Sequence, residues 1–303
     1  MPSRRIQLEC LITVAEEGQV TSAARRLDLA QPTLSYAIAQ LESELGIQLL
    51  ERRPRGVKLT HAGEAFLAKA RLALAAETDA VNSGQSLARS ATGAIAVGFV
   101  GPPPVSNAPD LFGAFAAAHP DAVVSFRDLP FPRGTSADWL AGVDVALSVA
   151  PAPEASTDSI PVCVEPRTVV ARADHPLAGR GSVSAADLAG EAFIGYHPAV
   201  QDEWARFHGL DDHRGGPPEF TTEDNVLTAL QMLGIMATSR AITTVPRTAA
   251  TIAAQVLPGV IALPVEDVEP AVVSLVWRKD SVNPLTAALV EIARGQNGSV
   301  DGV

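Results

Sequence analysis

Apolar positions in the first part of the chain recur at helical spacing. Leu8, Leu11, Ile12 and Ala15 predict a first helix that ends at Glu16, Glu17 and Gly18. Val20, Ala23, Ala24 and Leu27 fall at i, i+3, i+4 and i+7, the stripe of a short second helix packed on one face. Thr21 and Ser22 stand at its start, where hydroxyls can cap free amides or meet a phosphate. After a break at Asp28 to Ala30, Pro32 marks the first turn of a third helix. Leu34, Ile38, Leu41 and Leu45 are its predicted inner face, and Gly46 its stop. Gln31, Thr33, Ser35, Tyr36, Ala39 and Gln40 are left on the outer and leading surface, a face suited to base edges in a nucleic-acid groove.

Next comes Glu51-Arg-Arg-Pro-Arg-Gly-Val-Lys-Leu-Thr60, where Pro54 to Gly56 can turn a two-stranded ribbon carrying Arg52, Arg53, Arg55 and Lys58. The order is a helix-turn-helix followed by a basic wing. An ordinary helical hairpin is the alternative, but turn, proline, polar face and basic ribbon occur together. From Thr60 to about Leu87 there is no proline, and Phe66, Ala70, Ala73, Leu74 and Val81 keep an apolar stripe. One long helix is expected, paired with a second copy or else laid on its own C-terminal domain. Arg89 to Gly93 ends it.

Beyond Gly93 the periodicity alternates between strand-like and helix-like segments, the pattern of an α/β domain with a mainly parallel sheet. Predicted strands are 94–99, 122–127, 143–149, 168–171, 193–195, 241–245, 260–263 and 272–277, and Cys163 falls in a further strand-like run. Predicted helices are 108–118, 185–188, 202–207, 224–233, 247–254 and 285–294.

Six runs carry a family resemblance: Ala-Glu-Glu-Gly18, Thr-Ser-Ala-Ala-Arg-Arg-Leu27, Ala-Gln-Pro-Thr-Leu-Ser35, Gln-Leu-Glu-Ser-Glu-Leu-Gly46, Leu-Leu-Glu-Arg52 and Leu-Thr-His-Ala-Gly-Glu64. Together they resemble the LysR-type transcriptional regulators, densely from about Arg4 to Arg89 and in order through the rest. Val20 and Leu50 stand where that family usually has phenylalanine, and Tyr36 where a basic residue is frequent. The resemblance implies a winged helix-turn-helix over residues 1–60, a dimerising linker helix over 61–89 and a hinge at 90–93. It also implies an α/β effector-binding domain over 94–303, two-lobed like a periplasmic solute-binding protein. Lobe I is then about 94–162 plus 267–303 and lobe II about 163–266, with chain crossings near Pro161 to Glu165 and Leu263 to Val268. The implied partners are double-stranded DNA at a promoter or operator, a small-molecule effector, further copies in a dimer or tetramer, and RNA polymerase. On that reading Gln31, Pro32, Thr33, Ser35, Tyr36 and Gln40 contact bases and adjacent phosphates, while Arg52, Arg53, Arg55 and Lys58 bind the backbone.

Charge refines this. The formal charge of −11 over 303 residues looks wrong for a DNA binder. Divided along the chain, residues 1–90 hold 11 Lys+Arg against 10 Asp+Glu, and residues 91–303 hold 12 against 24. The acid lies outside the expected reader, and local placement governs phosphate binding. No apolar run approaches the roughly 20 residues that cross a bilayer, and no signal-like segment opens the chain, so a cytoplasmic protein is expected. Cys10 and Cys163 are too few for a disulfide framework or a zinc site; Cys10 fits the core face of the first helix, and Cys163 a strand.

In open α/β sheets ligands settle at the carboxyl ends of strands. The loop beginning Gly101-Pro102 and ending Ser106-Asn107 is one candidate, although the last two residues equally cap the next helix. Others are Leu129 and Pro130, Tyr196 and His197, Thr221 and Thr222, and Ser239 and Arg240. His197 beside Pro198 fits a hydrogen-bonded loop residue. Arg240 fits either a carboxylate clamp or a solvent-facing side chain. No nucleophile elbow, phosphate loop or metal-spaced cluster is present, so neither catalysis nor a cofactor is expected. The rival to a regulator is an α/β solute-binding protein or enzyme whose N-terminal helices serve only assembly.

Overall fold

The computed structural model describes residues 2–53, 56–101, 111–133, 137–149, 156–223 and 225–296. The chain forms two compact units, Met1–Val81 and Asn82–Val303.

The first unit opens on α1 (Arg4–Glu17), α2 (Val20–Arg26) and α3 (Gln31–Leu45). Ser3 caps α1 by accepting from Ile6 N, and Gly18 stops it in the left-handed region at φ +65°. Cys10, Val14, Ala23, Leu34, Ala37 and Ile38 form one buried cluster, and Leu8, Leu11, Leu41, Leu49 and Ala70 another. Leu45, expected inside, is 38% exposed. It is the last residue of α3, one turn past Leu41, and Ala37 fills the core instead. The wing is an antiparallel pair, β1 (Leu50–Arg53) and β2 (Gly56–Leu59), with Leu50 opposite Leu59. Glu42 holds its entry by accepting from Leu49 N at 2.7 Å and Leu50 N at 3.1 Å. Val57 N donates to Gly18 O at 2.8 Å. At Gly56, φ is +131° and a Cβ would come within 2.3 Å of that same Gly18 oxygen, so only glycine fits.

Helix α4 (His61–Ala91) follows, with Thr60 Oγ1 accepting from Gly63 N at 2.9 Å. It runs past the expected end near Leu87 and into the expected hinge, leaving Thr92 and Gly93 as the joint. The extra turn has a cause. Asp144, whose side chain is 0% exposed, accepts from Ser86 Oγ at 2.6 Å, Arg89 Nε at 2.7 Å and Ala96 N at 2.9 Å, fixing the helix end.

In the second unit, β3 (Ala94–Val100), α5 (Leu111–Ala118), β4 (Val123–Leu129), β5 (Val145–Ser148) and β6 (Thr157–Glu165) begin one lobe. The other comprises β7 (Arg167–Arg172), β8 (Ala192–Phe193), α6 (Asp202–Gly209), α7 (Asp211–Arg214), β9 (Phe220–Thr221), α8 (Ala229–Thr238), β10 (Thr243–Pro246), α9 (Arg247–Val256) and β11 (Val260–Pro264). Strand β12 (Ala271–Arg278) and α10 (Pro284–Gln296) return to the first lobe. Its sheet has the order β4-β3-β5-β12-β6, and that of the second lobe β10-β7-β11.

The sheets are not mainly parallel as expected: β3 is parallel to β4 and β5, but β12 runs against β5 and β6, and β7 runs against β10 and β11. Topology explains this. One crossing leads out of the first lobe at Pro166 and the other leads back after Pro264, so the strands beside them run in opposite directions. Strand β6 begins earlier than periodicity shows because Pro161 interrupts it, tolerated at the sheet edge. The helix expected over 224–233 is α8, shifted toward the C-terminus, since Val226 is bridged to Tyr196 and the Thr228 hydroxyl caps by accepting from Gln231 N. The segment expected as a helix at 185–188 is one 3-10 turn, Ala186–Leu188. Ile95, Phe115, Leu275 and Leu289 anchor the first lobe, and Trp204, Met236, Leu188 and Ile242 the second. No helix among the described residues is long and apolar enough to cross a membrane.

Candidate functional site: a groove-reading face and an inter-lobe cavity

Helix α3 starts without a side-chain cap, since Ala30 has none to give, and its leading end stays open to an incoming acceptor. Gln31, Pro32, Thr33 and Tyr36 are exposed there, Tyr36 by 57%, while Ser35 and Gln40 are half-buried. Thr21 is exposed and Ser22 half-buried. Neither hydroxyl caps α2, whose cap position is Gln19. An open groove of about 470 Å³ runs past Thr21, Arg25, Asp28 and Gln31. Arg25 at its edge is exposed, whereas its neighbour Arg26 is held by Glu16 at 2.9 Å and Glu17 at 3.0 Å. In the sequence Arg25 has no signature beyond its place two residues before the turn. On the wing, Lys58 is exposed and Arg53 lies 3.3 Å from Glu51 at the surface. Arg55 and the side chain of Arg52 lie outside the described residues.

In the second unit a cavity of about 50 Å³ lies between the lobes. Gly101, Phe99 and Ser148 line it from the first lobe, Trp204, His208, Met232 and Thr248 from the second, and Glu165 from the end of β6 beside the crossing. The segment after β4 reaches across. Phe131 N donates to Leu227 O at 2.9 Å, and the Phe131 ring lies 5.3 Å from Trp204 and 5.5 Å from Tyr196. Burial drives the His208 pKa down to about 3 against an opposing hydrogen bond to Thr244 O, with the nearby Arg167 charge pushing the same way. His208 is therefore neutral at physiological pH.

Of the ligand-contact residues expected from loops, Gly101 lines this cavity. Pro102, Ser106 and Asn107 lie outside the described residues. The others satisfy local backbone or neighbouring cores. Leu129 is buried beside Trp139, and Pro130 leads into Phe131. The Tyr196 hydroxyl sits 3.8 Å from Met232 Sδ, and His197 Nδ1 accepts from Ala199 N at 3.0 Å. Thr221 lies exposed in β9, Thr222 Oγ1 accepts from Gly195 N at 2.9 Å, and Ser239 Oγ accepts from Ala241 N at 3.2 Å. Arg240, 69% exposed, lies 3.6 Å from Asp174, the solvent-facing alternative. Glu165, Trp204, His208 and Thr248 were not singled out from sequence. Each is chemically ordinary alone, and only the fold brings them to one wall.

Two family models match the chain. The "Bacterial regulatory helix-turn-helix protein, lysR family" covers residues 6–64 and the "LysR substrate binding domain" covers residues 88–298. The protein belongs to the LysR family. Among curated relatives, the HTH-type transcriptional regulator AlsR of Bacillus subtilis (strain 168) is 32% identical over 62% of this chain and 62% of its own length. The uncharacterized HTH-type transcriptional regulator YnfL of Escherichia coli (strain K12) is 34% identical over 64% of this chain and 65% of its own. The chain thus spans just under two thirds of the length of these relatives. Among solved structures, full-length CbnR complexed with its target DNA is 28% identical, with 97% of this chain and 99% of that one covered at a TM-score of 0.51. A mutant form of full-length BenM is 25% identical, with 99% and 98% covered at a TM-score of 0.52.

Proposed function

We propose that this protein is a transcriptional regulator that binds specific double-stranded DNA and whose binding is adjusted by a small molecule held between the lobes. The observation that carries this is the uncapped start of α3 with an exposed polar row behind it, in a chain similar over nearly its whole length to a regulator solved on its target DNA. Helix α3 enters the major groove, with Gln31, Thr33, Ser35, Tyr36 and Gln40 toward bases and Thr21, Ser22 and Pro32 toward the backbone. Arg52, Arg53, Arg55 and Lys58 add phosphate contacts that raise affinity with little sequence information. The reader occupies residues 1–60, the linker helix pairs two copies as a dimer that associates further to a tetramer, and the remainder binds the effector. The protein works in the cytoplasm, at promoters where RNA polymerase binds, without a chemical step of its own. A ligand shifts DNA binding only by the difference in its affinity for two lobe arrangements.

A gel-shift titration against the DNA flanking its own gene tests this. A specific shift that survives excess random duplex is expected, and its absence at every salt concentration overturns the proposal. Gln31→Ala should lower specific binding more than nonspecific binding, by about 1–3 kcal/mol for one lost base contact. Equal losses on both duplexes would remove Gln31 from base reading.

A further inference from the structure

The wall of the inter-lobe cavity has a sharp imbalance between acceptors and positive charge. Glu165 is 0% exposed, and its two oxygens accept from Thr248 N at 2.7 Å and Thr248 Oγ1 at 2.9 Å. Those bonds sit at the start of α9, where the helix dipole favours an anion. Each oxygen nevertheless keeps accepting capacity, and Glu165 has no cationic partner among the described residues. Arg167, two residues along, is turned away: its guanidinium carbon lies 3.8 Å from the Phe207 ring centre, and it donates to Phe207 O and to Thr244 Oγ1. Among the described residues, no lysine or arginine lines the cavity.

Two further groups on that wall are unmatched. His208 is 3% exposed, and its Nδ1 faces Thr244 O, a carbonyl that can only accept. The ring hydrogen therefore sits on Nδ1, leaving Nε2 as a buried acceptor with no donor among the described residues. Trp204 is 2% exposed, and its Nε1–H has no acceptor among them. Buried polar atoms are normally satisfied, so two orphans beside an unpaired buried carboxylate, in a cavity, point to a molecule that completes them. Apart from Ser148, the rest of the lining is apolar or aromatic, including Phe99 and Phe131.

We propose that this cavity takes a small protonated amine with a short apolar body, its ammonium paired with Glu165. His208 Nε2 adds an acceptor to the same wall, and the aromatic rings suit a cation by their electron-rich faces. A cavity of about 50 Å³ holds on the order of four small groups, given about 10–15 Å³ for one water. A second cavity of about 40 Å³ shares Ala229, Met232, Val245 and Ala249 with the first and is lined only by apolar residues, so an alkyl tail has somewhere to go. A carboxylate of the same size meets the Glu165 charge at low dielectric, with the Trp204 N–H as donor and no cation on the described wall. The inference rests on the proposed effector role of this cavity and names the chemistry of its occupant.

The test is calorimetric titration of the full chain with butylammonium, 1-butanol and butanoate at neutral pH. Butylammonium should bind about tenfold or more tighter than 1-butanol, with butanoate weakest, as a charge-assisted contact requires. Glu165→Gln keeps the shape and can still bond Thr248. It should cost butylammonium at least about tenfold while moving 1-butanol by less than about twofold. Equal affinity for the three probes, a preference for butanoate, or undiminished amine binding by Glu165→Gln overturns the proposal. If that variant does not fold, the ranking on the unaltered chain decides alone. A DNA shift with no amine preference would sink the ligand class and spare the regulator. Amine preference without any DNA shift would do the reverse.

Discussion

Single residues set tight tolerances in this chain. Gly63 sits in the first turn of α4, where an added Cβ would lie 2.1 Å from Leu49 O, a backbone atom that cannot swing aside. Gly63→Ala should destabilise the N-terminal unit by about 1–3 kcal/mol, read as a lower denaturation midpoint; a neutral result would mean the helix start shifts freely. The two thiols are equally constrained. Cys10 and Cys163 are 0% and 3% exposed, and burial pushes them up to about 11 and about 12, helped by the neighbouring Glu9 and Glu165 charges. Neither should react with a disulfide reagent in the native protein at neutral pH, whereas both should titrate after unfolding. Rapid native labelling would contradict that burial. The burial of Cys10 was legible because it alternates with apolar residues of the first helix, whereas Cys163 was legible only as a strand residue. Sequence could not single out Glu165, since a carboxylate's burial depends on contacts with Thr248, 83 residues away.

At the scale of elements, legibility followed locality. The three N-terminal helices and the wing were readable because each turn, cap and stripe is written within a few residues: Gly18 and Gly46 take the left-handed conformation that ends α1 and α3. Helix α8 was misplaced because its start depends on Val226 pairing with Tyr196, a contact no local pattern announces. The wing makes a separable prediction. Lys58 is exposed on β2, and Lys58→Ala should flatten the dependence of log affinity on log salt by about 0.9 if it neutralises one phosphate. An unchanged slope in salt-titrated DNA binding would take Lys58 off the backbone.

At the scale of the whole molecule, the lobes of the second unit are joined by two crossings and by the Phe131 segment reaching over. The α/β class was legible from alternating periodicity and the two lobes from the family resemblance, whereas the opposed strand directions followed from the crossings and had no signature in any one segment. The end of α4 adds a titratable lock. Burial pushes the Asp144 carboxyl up, but hydrogen bonds from Arg89, Ser86 and the Ala96 amide, with the Arg89 charge, outweigh it and hold its pKa below the ordinary value. A depressed carboxylate stabilises the folded state above its unfolded pKa near 4 and loses that contribution as pH falls through the folded value. Asp144→Asn should therefore cost about 3 kcal/mol at neutral pH, and the gap from the unaltered chain should narrow below about pH 4. A gap independent of pH would show that packing, not charge, makes the lock.

That lock joins two neighbouring elements at one point. Asp144 ties the last turns of α4 to the start of β3 through one carboxylate, so the two elements share one anchor. Neither end can shift there without breaking at least one of the bonds that converge on that single side chain.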